Sequence, residues 1–372
     1  MATEAPPVKR GTGMQFSLFG MPVKVPVSGI VGAIVIAWLW TPTFASETSS
    51  GLLTAAVFAV LLYACILIHE LAHGFSARAL GNRVHGITLW VLGGYTVYER
   101  SKVTPGRETV IAVSGPLTTL ALAGLAQLGA GLIGPRWPMA TDLLAALAFT
   151  NLLLGLMNLL PGLPLDGGGV LKGLVWALSG SEYRGTVAAA WGGRVIAIIV
   201  VLLPLVLGLL PGSTLSVQLV IVAAIFGVFT WTGATAALRQ AQFERRIPAL
   251  AAANLARRAI PAQATESLAM AMARADRAQA GALVVVDANG RPTGIVNPAA
   301  ALATPVERRA WVPVSSVSRT IDSNQAIGMH LSGQALVSAL QELKSEELLV
   351  LDDSGAIFGV LFLDDVEASL AG

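Results

Sequence analysis

Two histidines and a glutamate within one apolar stretch carry the clearest chemical signal in the sequence. His69, Glu70 and His73 occur together as His-Glu-Leu-Ala-His. Because four residues turn an α-helix by about 400°, both imidazoles emerge from nearly the same helix face. Two histidines at this spacing suit a zinc ion, and the glutamate between them suits a general base. The pattern therefore predicts a metal site.

A metal held by two histidines needs a third protein ligand from another part of the chain. The single cysteine, Cys65, supplies no cysteine-based zinc framework, so the ligand must be a histidine or a carboxylate. Asp166 is the best candidate, because it is an isolated carboxylate after an apolar run broken by prolines and glycines. Non-helical backbone within the membrane is tolerated only where it lines a cavity or is buried in protein. The alternative is a turn that ends the span, capped by Asp166.

The composition indicates the elements that must position these residues. Of 372 residues, 54% are hydrophobic and 12% are charged, and the mean hydropathy is +0.69, which excludes a purely soluble or a disordered chain. The net charge of +2, without blocks of like charge, excludes a nucleic-acid partner. Since about 20 apolar residues cross a bilayer, we predict six spans near 26–45, 52–80, 108–133, 141–161, 188–210 and 215–238.

Basic residues flank these spans mainly on one side, which predicts that both termini are cytoplasmic. The span 52–80 then runs inward and brings His69 and Glu70 towards the cytoplasmic leaflet. The alanine- and glycine-rich composition fits a prokaryotic plasma membrane. In the alternative interpretation, residues 1–45 are a cleaved signal peptide, which leaves an odd number of spans.

The composition changes near residue 245, where charges return and short valine-rich runs alternate with alanine-rich ones. This predicts a transmembrane domain at 1–244 and a soluble α/β domain at 245–372. One pattern occurs twice, 65 residues apart. The first copy consists of Leu283 to Asp287, Gly290 and Gly294, and the second copy starts at Leu348. We predict two copies, about 256–304 and 310–372, each with a strand, a tight turn, a strand and a short helix.

Residues 84–99 are β-branched and aromatic around Gly93-Gly94, which predicts a small β-hairpin at the membrane interface with this pair at its turn. A hairpin has edges to which an extended peptide can add as a strand. We therefore include Gly93 and Gly94 among the candidate substrate-binding residues. The alternative is an interfacial hairpin without a binding role.

Two motifs resemble those of the site-2 protease family of intramembrane zinc metalloproteases. They are His69-Glu70-x-x-His73 and Asn158-x-x-Pro161-x-x-Pro164-Leu165-Asp166-Gly167-Gly168. The resemblance covers about residues 26 to 240 and implies an α-helical polytopic fold with a six-span core. It also implies one Zn²⁺ held by His69, His73 and Asp166. Ser114-Gly115-Pro116-Leu117 is also similar to the family, and we interpret this helix break as a packing feature.

The resemblance implies a zinc endopeptidase that cleaves transmembrane or juxtamembrane segments of membrane proteins, in regulated intramembrane proteolysis. Glu70 would be the general base, and Asn158 would donate to the substrate or to the oxyanion. Asn158 is equally well explained as a helix-packing amide. The alternative function is a catalytically silent zinc-binding membrane receptor or sensor. A metal transporter would need ionisable residues along several spans, and the spans contain almost none outside the motif.

The 65-residue repeat resembles tandem cystathionine-β-synthase-type (CBS) domains, which often bind adenine nucleotides. The usual pattern has a glycine, then a serine or threonine three residues later, then an aspartate after three more. The two copies here give Gly294, Asn297, Ala300 and Gly359, Phe362, Asp365. Only Asp365 matches as a ribose contact. We therefore favour a regulatory or homodimerisation module over a nucleotide site.

Overall fold

The structure is a computed structural model that describes residues 13–45, 51–91, 93–99, 104–210, 217–321, 325–343 and 345–371. The chain divides into two compact units, Met1–Ala241 and Gln242–Gly372. The first unit is mainly helical and the second is α/β.

Seven helices build the first unit, and within the described ranges all except the fifth are long and apolar enough to cross a membrane. This confirms the predicted six-span core. The helices α1 to α7 are Val27–Phe44, Leu52–Ala79, Pro105–Ile133, Pro138–Asn158, Asp166–Ser179, Glu182–Gly208 and Val217–Arg246. The predicted helix break at Ser114-Gly115-Pro116 is wrong, because α3 continues through Pro116.

The chain leaves the helical conformation between α4 and α5, where Pro161 and Pro164 interrupt the backbone hydrogen-bond pattern. The Leu163 N–H instead donates to the Ala189 carbonyl of α6 across 2.9 Å. The break predicted before Asp166 is therefore present, and its backbone is held by a neighbouring helix. Asp166 is the first residue of α5.

A buried lysine ties α5 to two other helices. Lys172 is 6% exposed, and its Nζ lies 3.2 Å from Glu108 Oε1 of α3 and 2.9 Å from Glu182 Oε1 of α6. Breaking such a pair by removing one partner leaves an uncompensated buried charge, which costs several kcal/mol. The triad therefore fixes the helix that begins with Asp166.

A four-stranded sheet accompanies the helices, which extends the predicted hairpin. The strands β1 to β4 are Gly13–Leu18, Met21–Pro26, Val84–Trp90 and Gly93–Tyr98, in spatial order β1-β2-β3-β4. Strands β2 and β3 are parallel, and the other pairs are antiparallel. The sequence analysis missed β1 and β2. Strand β2 is explained by the buried side chains of Met21 and Val23, which pack in one cluster with Leu71 of α2, and the largely exposed β1 is held by antiparallel pairing with β2.

The predicted turn at Gly93-Gly94 is wrong. Trp90 pairs with Gly93 and Leu89 pairs with Gly94, so both glycines begin β4 and the turn precedes them. Strand β4 lies at one end of the strand order, so its outer edge is unpaired among the described strands.

The second unit contains a seven-stranded sheet with five helices. Helices α8 to α12 are Ala252–Leu255, Leu268–Arg277, Pro298–Ala303, Gly333–Leu343 and Leu363–Ala371. Strands β5 to β11 are Arg257–Gln263, Ala282–Val286, Pro292–Val296, Ser318–Thr320, Ala326–Gly328, Glu347–Leu351 and Ile357–Phe362. Their spatial order is β8-β7-β6-β5-β11-β10-β9.

The repeat is visible as two β-α-β-β-α segments, β5-α9-β6-β7-α10 and β9-α11-β10-β11-α12. An aspartate closes the turn between the paired strands in each copy. Asp287 Oδ1 accepts the backbone N–H groups of Asn289 and Arg291, each across 2.8 Å. Asp352 Oδ1 accepts the corresponding N–H groups of Ser354 and Ala356, each across 2.9 Å. The recurring Asp and Gly positions are therefore explained by turn chemistry.

Candidate metal centre

Helix α2 carries three buried polar side chains at its inner face. His69 and Glu70 are each 5% exposed and His73 is 7% exposed. The histidine spacing brings the two Nε2 atoms to 3.1 Å from each other. Buried groups of this kind require polar partners, because an unsatisfied polar group in hydrocarbon costs several kcal/mol.

Asp166 meets the histidine pair from α5, 97 residues away in sequence from His69. Its Oδ2 lies 3.0 Å from His69 Nε2, and its Oδ1 lies 3.3 Å from His73 Nε2. The three side chains form the one group of potential metal ligands found among the described residues. The structure therefore brings together the three residues that the sequence nominates as ligands.

Helix α3 fixes the protonation pattern of both imidazoles. His73 Nδ1 lies 2.7 Å from the Ile111 carbonyl oxygen, which can only accept, so Nδ1 carries the proton. His69 Nδ1 lies 2.8 Å from Thr119 Oγ1. The Thr119 hydroxyl donates to the Gly115 carbonyl at 3.2 Å and therefore accepts from His69. Both Nε2 atoms are then left with lone pairs, as metal-binding histidines require.

Two nitrogen lone pairs and a carboxylate thus face one another in a buried site. A proton would bridge a single pair of these acceptors, whereas one cation bound by all three satisfies the whole set. This donor set makes the site a candidate metal centre. Sequence analysis missed Thr119 and Ile111, because neither residue lies in a motif.

Gly115 of α3 leaves the space in front of the ligands free. A Cβ atom at this position would lie 2.6 Å from His69 Nε2 and would also collide with His73. Helix α3 can therefore approach the ligand nitrogens only with glycine here. The interpretation of this motif as a packing feature was incomplete, since Gly115 faces the candidate metal site.

Glu70 lies beside the ligand group and is oriented by the sheet. The Thr96 hydroxyl of β4 donates to Glu70 Oε2 across 2.7 Å. Gly94 of the same strand packs against the Glu70 side chain, where a Cβ atom would lie 2.6 Å from Glu70 Cγ. Thr96 is a third residue that sequence analysis missed. The alternation of β4 places it on the same face as Gly94.

Two cavities border Glu70, Gly94 and Asp166. One has a volume of about 250 Å³ and is also lined by His73 and Glu108. The other has a volume of about 120 Å³. Its further lining residues are Ile66, His69, Trp90, Gly93, Leu154, Asn158, Pro164, Leu165 and Phe229. The structure therefore brings Asn158 and Gly93 to the wall of a cavity that reaches the candidate metal site.

The sequence matches known proteins over the helices that build this site. The sequence model of peptidase family M50 matches residues 57–135 and 135–203. Those ranges contain His69, Glu70, His73 and Asp166. The matched residues all lie within the helical unit.

The sequence is also similar to two proteins named as zinc metalloproteases. Rip3 of Mycobacterium tuberculosis is 41% identical over 183 residues, which cover 46% of this chain and 47% of Rip3. The protein sll0528 of Synechocystis is 35% identical over 185 residues, which cover 48% of each chain. The chain thus spans about half the length of the relatives that it matches.

Solved structures are similar to each unit separately. The site-2 protease from Methanocaldococcus jannaschii is 23% identical, covers 61% of this chain and 95% of its own, and gives a TM-score of 0.45. The CBS domain of a bacterial CNNM/CorC family Mg²⁺ transporter is 14% identical. It covers 36% of this chain and 84% of its own, with a TM-score of 0.28. The chain is a multi-pass integral membrane protein.

Zinc, the metal implied by the M50 relatives, fits this donor set. With zinc–ligand bonds of about 2.0–2.1 Å, the ligand atoms of a tetrahedral site lie about 3.3 Å apart. Here the two Nε2 atoms lie 3.1 Å apart, and each has its nearest Asp166 oxygen within 3.3 Å, Oδ2 for His69 and Oδ1 for His73. With one ligand atom taken from each residue, all three lie within 4.8 Å of one another. Three protein ligands also leave a fourth position for water, which distinguishes catalytic from structural zinc sites.

Asp365, the candidate ribose contact in the second unit, is engaged by an arginine. Its Oδ2 accepts from Arg257 Nε across 2.7 Å and its Oδ1 accepts from Nη2 across 2.8 Å. The pair joins α12 to β5. Both carboxylate oxygens therefore have a protein partner, and the geometry favours a structural clamp over the expected nucleotide contact.

We predict that Gly115→Ala abolishes most zinc binding. The added methyl group would enter the space between the ligand nitrogens. Loss of a partner that only orients a ligand lowers metal affinity about 10–100-fold, and the zinc affinity should fall by at least this much. Zinc content and chelator competition of the purified full-length protein measure this. Gly124→Ala is the matched control, because it lies on the same helix with no neighbour within 4 Å of its added Cβ. Equal zinc affinities for the two variants would contradict the assignment.

We also predict a pH-dependent contribution of Asp365 to the stability of the second unit. Hydrogen bonds from Arg257 lower the pKa of Asp365, so its stabilisation is present above about pH 4 and is lost as the pH falls through the folded-state pKa. Asp365→Asn should reduce the free energy of local opening at β5 by about 0.5 kcal/mol at pH 7, since exposed ion pairs are weak. Amide hydrogen exchange of the full-length protein measures this loss, which should shrink below about pH 4. The exposed neighbour Asp364→Asn should show no such loss, and an equal effect of both variants would refute the clamp.

Proposed function

We propose that this protein is an intramembrane zinc endopeptidase that hydrolyses transmembrane or juxtamembrane segments of other membrane proteins. In this proposal His69, His73 and Asp166 hold one zinc ion and Glu70 is the general base. The convergence of three metal-ligand atoms beside a buried carboxylate supports it most directly. The M50 match over the same helices gives independent support.

Zinc supplies Lewis acidity that lowers the pKa of a bound water towards neutrality. Glu70 accepts the proton of the attacking water and later delivers it to the departing amine nitrogen. Thr96 holds the Glu70 carboxylate in place through its 2.7 Å hydrogen bond. Asn158 lines the smaller cavity, where its amide can donate to the carbonyl oxygen of the scissile bond. Hydrolysis then proceeds without a covalent enzyme intermediate.

The outer edge of β4 is the proposed site for the substrate backbone. A transmembrane helix resists hydrolysis because its amides are hydrogen-bonded internally, so it must be unwound before cleavage. An extended segment that adds to β4 exchanges those hydrogen bonds for sheet hydrogen bonds. Gly93 and Gly94 lie at the start of this strand and line the smaller cavity, which supports their role in substrate binding.

The remaining assignments concern topology and the second unit. We propose that residues 1–244 are the metalloprotease domain in a prokaryotic plasma membrane, with both termini cytoplasmic. Residues 245–372 are then a cytoplasmic regulatory module, made of two CBS-like repeats, through which the protein forms a homodimer. Regulated intramembrane proteolysis follows if this module controls cleavage.

Glu70→Gln is expected to abolish proteolysis while zinc remains bound, because it removes the base and leaves the three ligands intact. The loss should reach about 10²–10⁴-fold. The measurement compares new protein N-termini in membranes of the source cells carrying either wild type or this variant. Metal content is determined in parallel on both purified proteins.

New N-termini within or beside apolar segments, found with wild type alone, would support the protease and identify its substrate. Identical N-terminal profiles, with stoichiometric metal in both proteins, would contradict it. That result would favour the alternative function, a zinc-binding membrane receptor or sensor without catalysis.

Thr96→Val is expected to lower turnover about tenfold, less than loss of the base itself, because Glu70 remains but loses its orienting hydrogen bond. Thr96→Ser keeps the hydroxyl and should retain most activity. Cleavage of the substrate identified above and zinc content are measured for both variants. Equal turnover by Thr96→Val and wild type would show that the hydrogen bond does not position the base.

A further inference from the structure

An arginine lies within the fifth predicted span, where sequence analysis expected almost no ionisable residues outside the metal motif. Arg194 belongs to α6 and is half-buried. A charged side chain within a membrane-spanning helix is costly unless it serves a function or reaches the interface. The metal centre does not use Arg194, so this residue requires a separate explanation.

Two tryptophans enclose the Arg194 guanidinium. Its Cζ lies 4.9 Å from the ring centroid of Trp191 on α6 and 5.2 Å from that of Trp231 on α7. Nη2 donates to Thr235 Oγ1 across 3.3 Å. The buried Nε–H has no acceptor in the described part of the chain. The guanidinium is therefore held in place, and because its Nε is buried, an anion would be bound through its Nη groups.

The Arg194 guanidinium can reach a membrane interface. The residues of α6 that follow Arg194, 195–208, carry no charge and rise about 21 Å along the helix, about two thirds of the hydrocarbon thickness of a bilayer. The long arginine side chain points towards the helix N-terminus and can extend its charged group to the interface. On α7, Trp231 lies eight residues before Arg239, which is the first charged residue of that helix. Tryptophans are enriched at the membrane–water interface. The exposed fractions, 56% for Trp191 and 44% for Trp231, agree with residues that face lipid headgroups.

An apolar groove extends from this cluster into the membrane-spanning part of the two helices. It has a volume of about 320 Å³ and shares Trp231 with the arginine cluster. Helix α6 contributes Ala197, Ile198 and Val201, and helix α7 contributes Gly227 and Val228. The surface thus combines a fixed cation within reach of the interface with an apolar channel that leads towards the bilayer centre.

We propose that this surface binds an anionic phospholipid, with its phosphate on Arg194 and one acyl chain in the groove between α6 and α7. Guanidinium forms strong bidentate contacts with phosphate, and the Trp side chains keep its plane oriented. An acidic side chain of a partner helix could also pair with Arg194. A lipid agrees better with the groove, because its headgroup and acyl chain match the cationic and apolar parts in the order in which they occur.

The test measures lipid binding to the purified full-length protein by native mass spectrometry. Phosphatidylglycerol and phosphatidylcholine with the same acyl chains are added separately. Wild type should bind phosphatidylglycerol more tightly, and Arg194→Gln should reduce that affinity about fivefold or more, as loss of one basic contact to an anionic headgroup predicts. Arg184→Gln removes an exposed charge from the same helix and should leave the affinity unchanged.

A second variant tests the groove without altering the arginine. Val228→Trp should fill the groove and reduce phosphatidylglycerol binding, and it decides the outcome if Arg194→Gln does not fold. The proposal is overturned if phosphatidylcholine binds equally well to wild type. It is also overturned if Arg184→Gln weakens binding as much as Arg194→Gln, or if Val228→Trp has no effect. Tighter binding of an acidic transmembrane peptide than of phosphatidylglycerol, lost in Arg194→Gln, would assign the surface to a protein partner instead.

Discussion

The mutual repulsion of three buried acceptors is the constraint on which the first unit depends. His69, His73 and Asp166 present lone pairs to one another at 3.0 to 3.3 Å, in a site with little access to water. A cation bound by all three groups would relieve this repulsion. Much of the surrounding architecture serves to maintain this arrangement. The buried Lys172 triad fixes α5, and the Leu163 contact with α6 holds the segment that leads into Asp166.

Helix α3 is the support against which the metal centre is assembled. Over two turns it offers the Ile111 carbonyl, a glycine and the Thr119 hydroxyl, and each of these faces a candidate ligand. The outer contacts orient the imidazoles, and the glycine leaves room for the ion. Helix α3 contributes no candidate ligand. We nevertheless expect the metal affinity to depend on it, through residues that lie outside the two ligand motifs.

The sequence predicts the spans well and places His69 and His73 together, because both features depend on local patterns. Helical spacing puts His69 and His73 on one face, and long apolar runs identify the six spanning helices. It does not predict Thr96 or Thr119, since their roles arise from contacts between elements distant in sequence. The position of the hairpin turn was wrong for a similar reason. A Gly-Gly pair is typical of turns, yet here the close approach of β4 to Glu70 requires Gly94 inside the strand. Asp365 matched a nucleotide pattern, but its pairing with Arg257 was not visible in the sequence.

The separation of the cavities around Glu70 bears on how hydrolysis inside a membrane is supplied with water. Both cavities have a mixed lining: the larger one reaches Glu108 and Ile111, and the smaller one combines Asn158 with Leu154 and Phe229. Glu70 contacts both cavities, so water and a peptide can reach this carboxylate from different sides. Thr96, which orients Glu70, and the edge proposed for the peptide both belong to strand β4. The threonine and the substrate edge are therefore parts of one rigid element. Placing both on a strand limits the freedom of the base relative to the scissile bond, which is what preorganisation of a catalytic site requires.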